Sequence, residues 1–121
     1  MGGQTGCTGL TDLGRRQAEA LRDHLATSGR IRADRLLVSV IPRAVETAQI
    51  IAPALGLEIA GHECDLCEVH TGTADGMAWE EYELRHGSFD MEGEPDRVFA
   101  PEGDSWNSFH ERVQHLLERL A

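Results

Sequence analysis

The stretch Ser39-Val-Ile-Pro-Arg-Ala-Val-Glu-Thr-Ala48 places Arg43 directly after a proline, where an apolar run hands over to a helical pattern. At such a handover the first backbone N–H groups of a helix have no intrahelical partner and can face an anion. A guanidinium adds a planar fork that matches two phosphoryl oxygens. Taken alone the residue decides little, because most arginines on helices are simply solvated. A second candidate is Glu68, within Leu66-Cys-Glu-Val-His-Thr-Gly72. A glutamate at a strand end, in a partly apolar pocket, holds its proton more tightly and can serve as a general acid. Its ordinary fate is again a solvated surface position. A third pattern, His62-x-Cys64-x-x-Cys67-x-x-His70, has the composition of a tetrahedral zinc site. It is more compact than the usual two-knuckle spacing and holds a single Cys-x-x-Cys. Free cysteine is also a common buried filler. A small zinc-binding module on Cys64 and Cys67 is therefore kept as the minor alternative, and no metal is expected.

The elements that must position these residues can be read along the chain. Residues 1–10, rich in glycine and threonine, read as a loop. Thr11 can cap a helix that begins at Asp12 and carries Ala18, Leu21 and Leu25 at helical spacing until Ser28-Gly29 stops it. Arg35 to Val40 is a short branched apolar run, read as a buried strand. Pro42 suits the first turn of a second helix with Val45, Ala48, Ile51, Ala52 and Leu55 as its stripe, ended by Gly56. Leu57-Glu58-Ile59 alternates like a strand. Cys64 to Val69 is ambiguous. Met77 to Leu84 would put glutamates on both faces of a strand, so a helix is expected. Gly87 to Gly103 reads as loop. Asp104 or Ser105 can cap a last helix with the stripe Phe109, Val113, Leu116, Leu117 and Leu120.

The alternation of strands and helices predicts an α/β layer architecture with a mainly parallel sheet. In such sheets ligands bind at the carboxyl edge of the strands, which is where Arg43 would lie.

Composition narrows the functional classes. The 121 residues carry 11 basic and 21 acidic side chains, a net charge of −10, and every basic residue is arginine. So acidic a chain repels polyphosphate and anionic headgroups, which argues against nucleic-acid or membrane-surface partners. An apolar share of 40% suits a globular core. The longest apolar runs fall far short of the roughly 20 residues that span a bilayer. Three cysteines cannot all pair within the chain, and Met1-GGQTGCTGL has neither a basic nor an apolar leader region, so a reducing, cytoplasmic setting is expected.

Four blocks together carry a resemblance: Thr8-GLTDLGRRQAEAL-Arg22, Leu37-VSVIPRAVETAQII-Ala52, Leu66-CEVHTGTADGMAWEE-Tyr82 and Pro101-EGDSWNSFHER-Val113. In order and spacing they resemble the histidine phosphatase superfamily, in its phosphoglycerate mutase-like branch. The resemblance implies a three-layer α/β/α sandwich and transfer of a phosphoryl group from a phosphomonoester through a phosphohistidine, without metal or organic cofactor. It implies that Arg43 clamps the phosphoryl oxygens and that Glu68 protonates the leaving oxygen. Such chemistry depends mostly on positioning and on neutralising charge.

The same resemblance marks departures. The family's nucleophile lies in an Arg-His-Gly motif at the end of a first strand, before the block that opens here at Thr8, and its second histidine follows a strand after the last helix. The expectation is thus a single partial domain over residues 1–121, a partial three-layer sandwich missing the first strand and the C-terminal strands. It would carry the arginine and the acid without either catalytic histidine, and so be a phosphatase or mutase relative with little turnover of its own, or a non-catalytic binding remnant. Arg85-His86-Gly87 spells the nucleophile motif, but it follows an acidic, helix-like run and comes after Arg43 and Glu68. It is read as coincidence. The expected partner is a small phosphorylated substrate of the full-length parent, with self-association through unpaired strand edges.

Overall fold

Why the second helix begins where it does is visible in a single side chain. Ser39 is buried and its hydroxyl accepts the Ile41 N–H at 3.2 Å, which turns the chain out of the apolar run and into the helix opened by Pro42. The strand expected over 35–40 is accordingly only three residues long. The computed structural model describes residues 1–121, which fold as two compact units, Thr8–Cys64 and Met1–Cys7 with Asp65–Ala121.

In the unit Thr8–Cys64, helix α1 spans Asp12–Ser28. The Thr11 hydroxyl accepts the Gly14 N–H at 3.1 Å, and Gly29 closes the helix in the left-handed region at φ 59°. Strand β1 (Leu36–Val38) leads into helix α2 (Pro42–Leu55), which returns to strand β2 (Ile59–His62). The two strands pair in parallel, with Leu36 opposite Ile59, Leu37 opposite Gly61 and Val38 opposite His62, and one irregularity between Leu36 and Leu37. A parallel pair needs such a crossover, and α2 supplies it.

The strand expected at Leu57 starts two residues later. The Leu57 N–H still donates to the Ala52 carbonyl at 3.2 Å, so that residue is occupied in closing α2. Helix α2 buries Ala48 and Ala52 and packs against α1 and both strands. On α1 the predicted stripe is narrower than expected: Ala18 is buried, whereas Leu21 is exposed.

In the other unit, the core gathers Ala74, Tyr82, Phe99 and Ala100, with Met1, Val69, Met77 and Phe89 packed around them. Tyr82 comes from helix α3 (Trp79–His86), confirming the helical reading of that acidic run. Helix α4 (Trp106–Leu120) begins with a capping box: the Ser105 hydroxyl accepts the Ser108 N–H at 3.1 Å, and the Ser108 hydroxyl accepts the Ser105 N–H at 2.9 Å. Of its adjacent leucines, Leu116 is fully buried and Leu117 is 59% exposed. Neighbours on a helix point about 100° apart, so one face cannot bury both.

The N-terminal loop belongs to the same unit. The Met1 ammonium donates to the Met77 carbonyl, and the Asp75 carboxylate accepts the N–H groups of Gly3, Thr5 and Gly6 at 2.9, 2.7 and 3.0 Å. Residues 87–103 form neither helix nor strand, as expected. No helix is long and apolar enough to cross a membrane.

Candidate functional site

Arg43 occupies the first turn of α2, immediately after Pro42, and its side chain is exposed. It is the one charged residue lining an open groove of about 400 Å³, whose walls include Leu10, Leu36, Leu37, Thr47 and Ile51. The loop that brings Leu10 to this groove is tied to α2 by Glu46. That carboxylate accepts the Leu10 N–H at 2.8 Å and pairs with Arg15. Gly9 lies in the left-handed region at φ 93°, where a Cβ would come within 3.0 Å of the Glu46 carboxylate. Sequence reasoning passed over Glu46. Its only signal is its place on α2, one turn beyond Arg43, where the two share a side of the helix.

Glu68 does not stand at a strand end. The chain makes a single 3-10 turn over Cys64–Leu66 and then bends, and Glu68 is exposed on the bend. No ladder of strand hydrogen bonds fixes this segment; an arginine from α4 does. Arg112 donates through Nη1 to the carbonyls of Asp65 (2.9 Å) and Cys67 (3.1 Å), and through Nη2 to the carbonyl of Glu68 itself (3.1 Å).

The same guanidinium pairs with Asp104 at 2.7 Å. Asp104 closes the far end of the segment. Its carboxylate accepts the His70 N–H at 2.9 Å and lies 3.3 Å from the His70 ring nitrogen Nδ1, while its own N–H donates to the His70 carbonyl at 2.9 Å. Burial pushes the Asp104 carboxyl up, but the His70 N–H and Arg112 outweigh it and hold the group below its ordinary value. Local pattern marks Asp104 only as a candidate helix cap, and nothing near Arg112 in the sequence signals its contacts.

His86 ends α3, with its ring centroid 5.1 Å from that of Tyr82. The strand that should precede a nucleophile of the Arg-His-Gly type is a helix here. Among metal-ligating types, Cys64 is exposed and Cys67 buried, and along this segment the ligand atoms of Cys64, Cys67 and His70 lie within 4.8 Å of one another. That makes three donors without His62, whereas a closed structural zinc site takes four.

The family model of the histidine phosphatase superfamily, branch 1, matches residues 1–121. The chain belongs to that superfamily. Among solved structures it is similar to mycobacterial glucosyl-3-phosphoglycerate phosphatase in complex with inorganic phosphate, at 27% identity and a TM-score of 0.76. The match covers 99% of this chain and 56% of that one. It also shares its fold with the alpha-ribazole phosphatase of Shigella flexneri, at 21% identity and a TM-score of 0.79, covering 99% of this chain and 58% of that one. The chain thus spans little more than half the length of these neighbours. No curated protein matches it. The superfamily's α/β fold, phosphoglycerate mutase-like with a parallel sheet, is the architecture expected from the strand–helix alternation.

Proposed function

We propose that this chain provides the phosphate-binding and proton-donating parts of a phosphomonoester site that works through a phosphohistidine. Arg43 binds two phosphoryl oxygens in the plane of its guanidinium, helped by the positive end of α2. As the ester P–O bond breaks and the P–N bond to histidine forms, the Glu68 carboxyl gives its proton to the leaving alkoxide. Water then attacks the phosphohistidine and releases phosphate. The observation that carries this reading is the position of Arg43, in the first turn of α2 and lining the groove beside it. The superfamily membership and the inorganic phosphate bound by the mycobacterial neighbour support it.

Little turnover is expected from the 121 residues by themselves, because none of their histidines is assigned the attack here and stabilising the transition state leaves that step to water. Two measurements on the chain test the reading. Inorganic phosphate should bind, and Arg43→Ala should weaken binding at least about tenfold, the worth of a charge-assisted bond. Equal affinity in the variant contradicts the role of Arg43. Hydrolysis of p-nitrophenyl phosphate that Arg43→Ala abolishes contradicts the low turnover.

A further inference from the structure

We propose that Arg112 is the positioning residue of the general acid: it acts through the backbone of residues 65–68 to set where the Glu68 carboxyl points. The inference rests on the proposed acid role of Glu68. The segment that carries this glutamate is irregular, a 3-10 turn followed by a bend, and an irregular segment holds one shape only if something satisfies its carbonyls. Here a single guanidinium collects three of them, from Asp65, Cys67 and Glu68.

The geometry of the fork explains why arginine does this. Nη1 spans two carbonyls and Nη2 spans a third together with the Asp104 carboxylate, so one guanidinium holds four acceptors. The guanidinium is fixed in turn. Its side chain is 14% exposed, the Phe109 ring lies 5.4 Å from its central carbon, and Nε is buried without an acceptor. Both terminal nitrogens are committed to the segment and its anchor. Asp104 ties the other end, gripping His70 through main chain and ring alike. Glu68 thus sits on a segment tied by Arg112 at one end and by Asp104 at the other, and its side chain is exposed. A lysine in place of Arg112 keeps the charge but offers a point cation with three donors, too few for the four acceptors.

The test uses the full chain and its Arg112→Lys variant. Amide hydrogen exchange is followed over residues 66–70 and in α3, and the ¹³C resonance of the Glu68 carboxyl is followed while inorganic phosphate is added. In Arg112→Lys, exchange over 66–70 should rise about tenfold while α3 keeps its protection, since the lost bonds are local. The response of the Glu68 carboxyl to phosphate should shrink, and phosphate affinity should stay within about twofold, because Arg43 is untouched. Unchanged exchange over 66–70, or full rescue of the Glu68 response by lysine, overturns the positioning role. A Glu68 carboxyl that ignores phosphate in the unaltered chain overturns the acid role instead, and the positioning role with it, even where exchange rises. Should Arg112→Lys fail to fold, Asp104→Asn loosens the same anchor, and unchanged exchange over 66–70 in that variant is equally decisive against the proposal.

Discussion

Tyr82 and Phe99 stack with ring centroids 4.4 Å apart, and the tyrosine hydroxyl donates to the Phe99 carbonyl at 2.6 Å in the buried core of their unit. One tyrosine therefore fixes both the ring and the backbone of a residue in the long irregular stretch before α4. Removing only the oxygen, in Tyr82→Phe, leaves that carbonyl buried without its donor and should cost about 1–3 kcal/mol. A urea melt that shows no loss would mean that water replaces the hydroxyl.

Gly72, at the start of a 3-10 turn over Gly72–Ala74, lies close against the backbone of residues 101–103. It adopts φ 56°, and a Cβ placed on it would stand 2.2 Å from the Pro101 carbonyl oxygen and 2.4 Å from the Gly103 nitrogen. Both obstacles are backbone, so they cannot swing aside. Gly72→Ala should therefore destabilise by about 2–4 kcal/mol, from left-handed strain and forced separation together. By contrast, Gly29→Ala in the same left-handed region meets nothing within 4 Å and should lose only the conformational part. Thermal melts of the two variants should rank in that order.

Stability should depend on pH in the acid range with a definite sign. Burial pushes the Asp75 and Asp104 carboxyls up, yet the backbone N–H groups around Asp75, and His70 and Arg112 around Asp104, hold both below the ordinary 3.8. Both groups therefore bind protons less readily folded than unfolded. The stability they contribute is fully present above the unfolded value and is lost as pH falls through the folded ones. Chemical denaturation at stepped pH should show the midpoint falling at the acid end, and Asp75→Asn and Asp104→Asn should each flatten that fall. A fall of the same steepness in both variants would assign it to other carboxyls.

The two-stranded sheet leaves each strand one edge without a partner, while Leu84 and Leu117 are 88% and 59% exposed. Open edges and uncovered apolar side chains favour association. Sedimentation of the isolated chain should report species larger than a monomer, and a single monomeric boundary at all concentrations would count against it.

How legible this was in the sequence varies with what fixes each part. Helices α1 and α2 could be read almost to the residue, because their ends are written in local chemistry: Thr11 and Gly29 for one, Pro42 and Gly56 for the other. Strand β2 was misplaced by two residues because Leu57 is claimed by the helix before it, which no alternation pattern reveals. Arg43 can be singled out as a candidate because its neighbours carry its context. Glu68 can be singled out by motif, but it stands on a bend and not at the expected strand end. Its support comes from Arg112, 44 residues further along, and a contact that distant leaves no periodicity to read.

The proposed chemistry requires Arg43 and Glu68 to act on one phosphoryl group. A double-mutant cycle on inorganic phosphate affinity, measured calorimetrically with the unaltered chain, Arg43→Ala, Glu68→Ala and the double variant, tests it most directly. Two side chains that meet one ligand should be coupled by at least about 0.5 kcal/mol. Losses that simply add, or an affinity that Glu68→Ala leaves untouched, would contradict it.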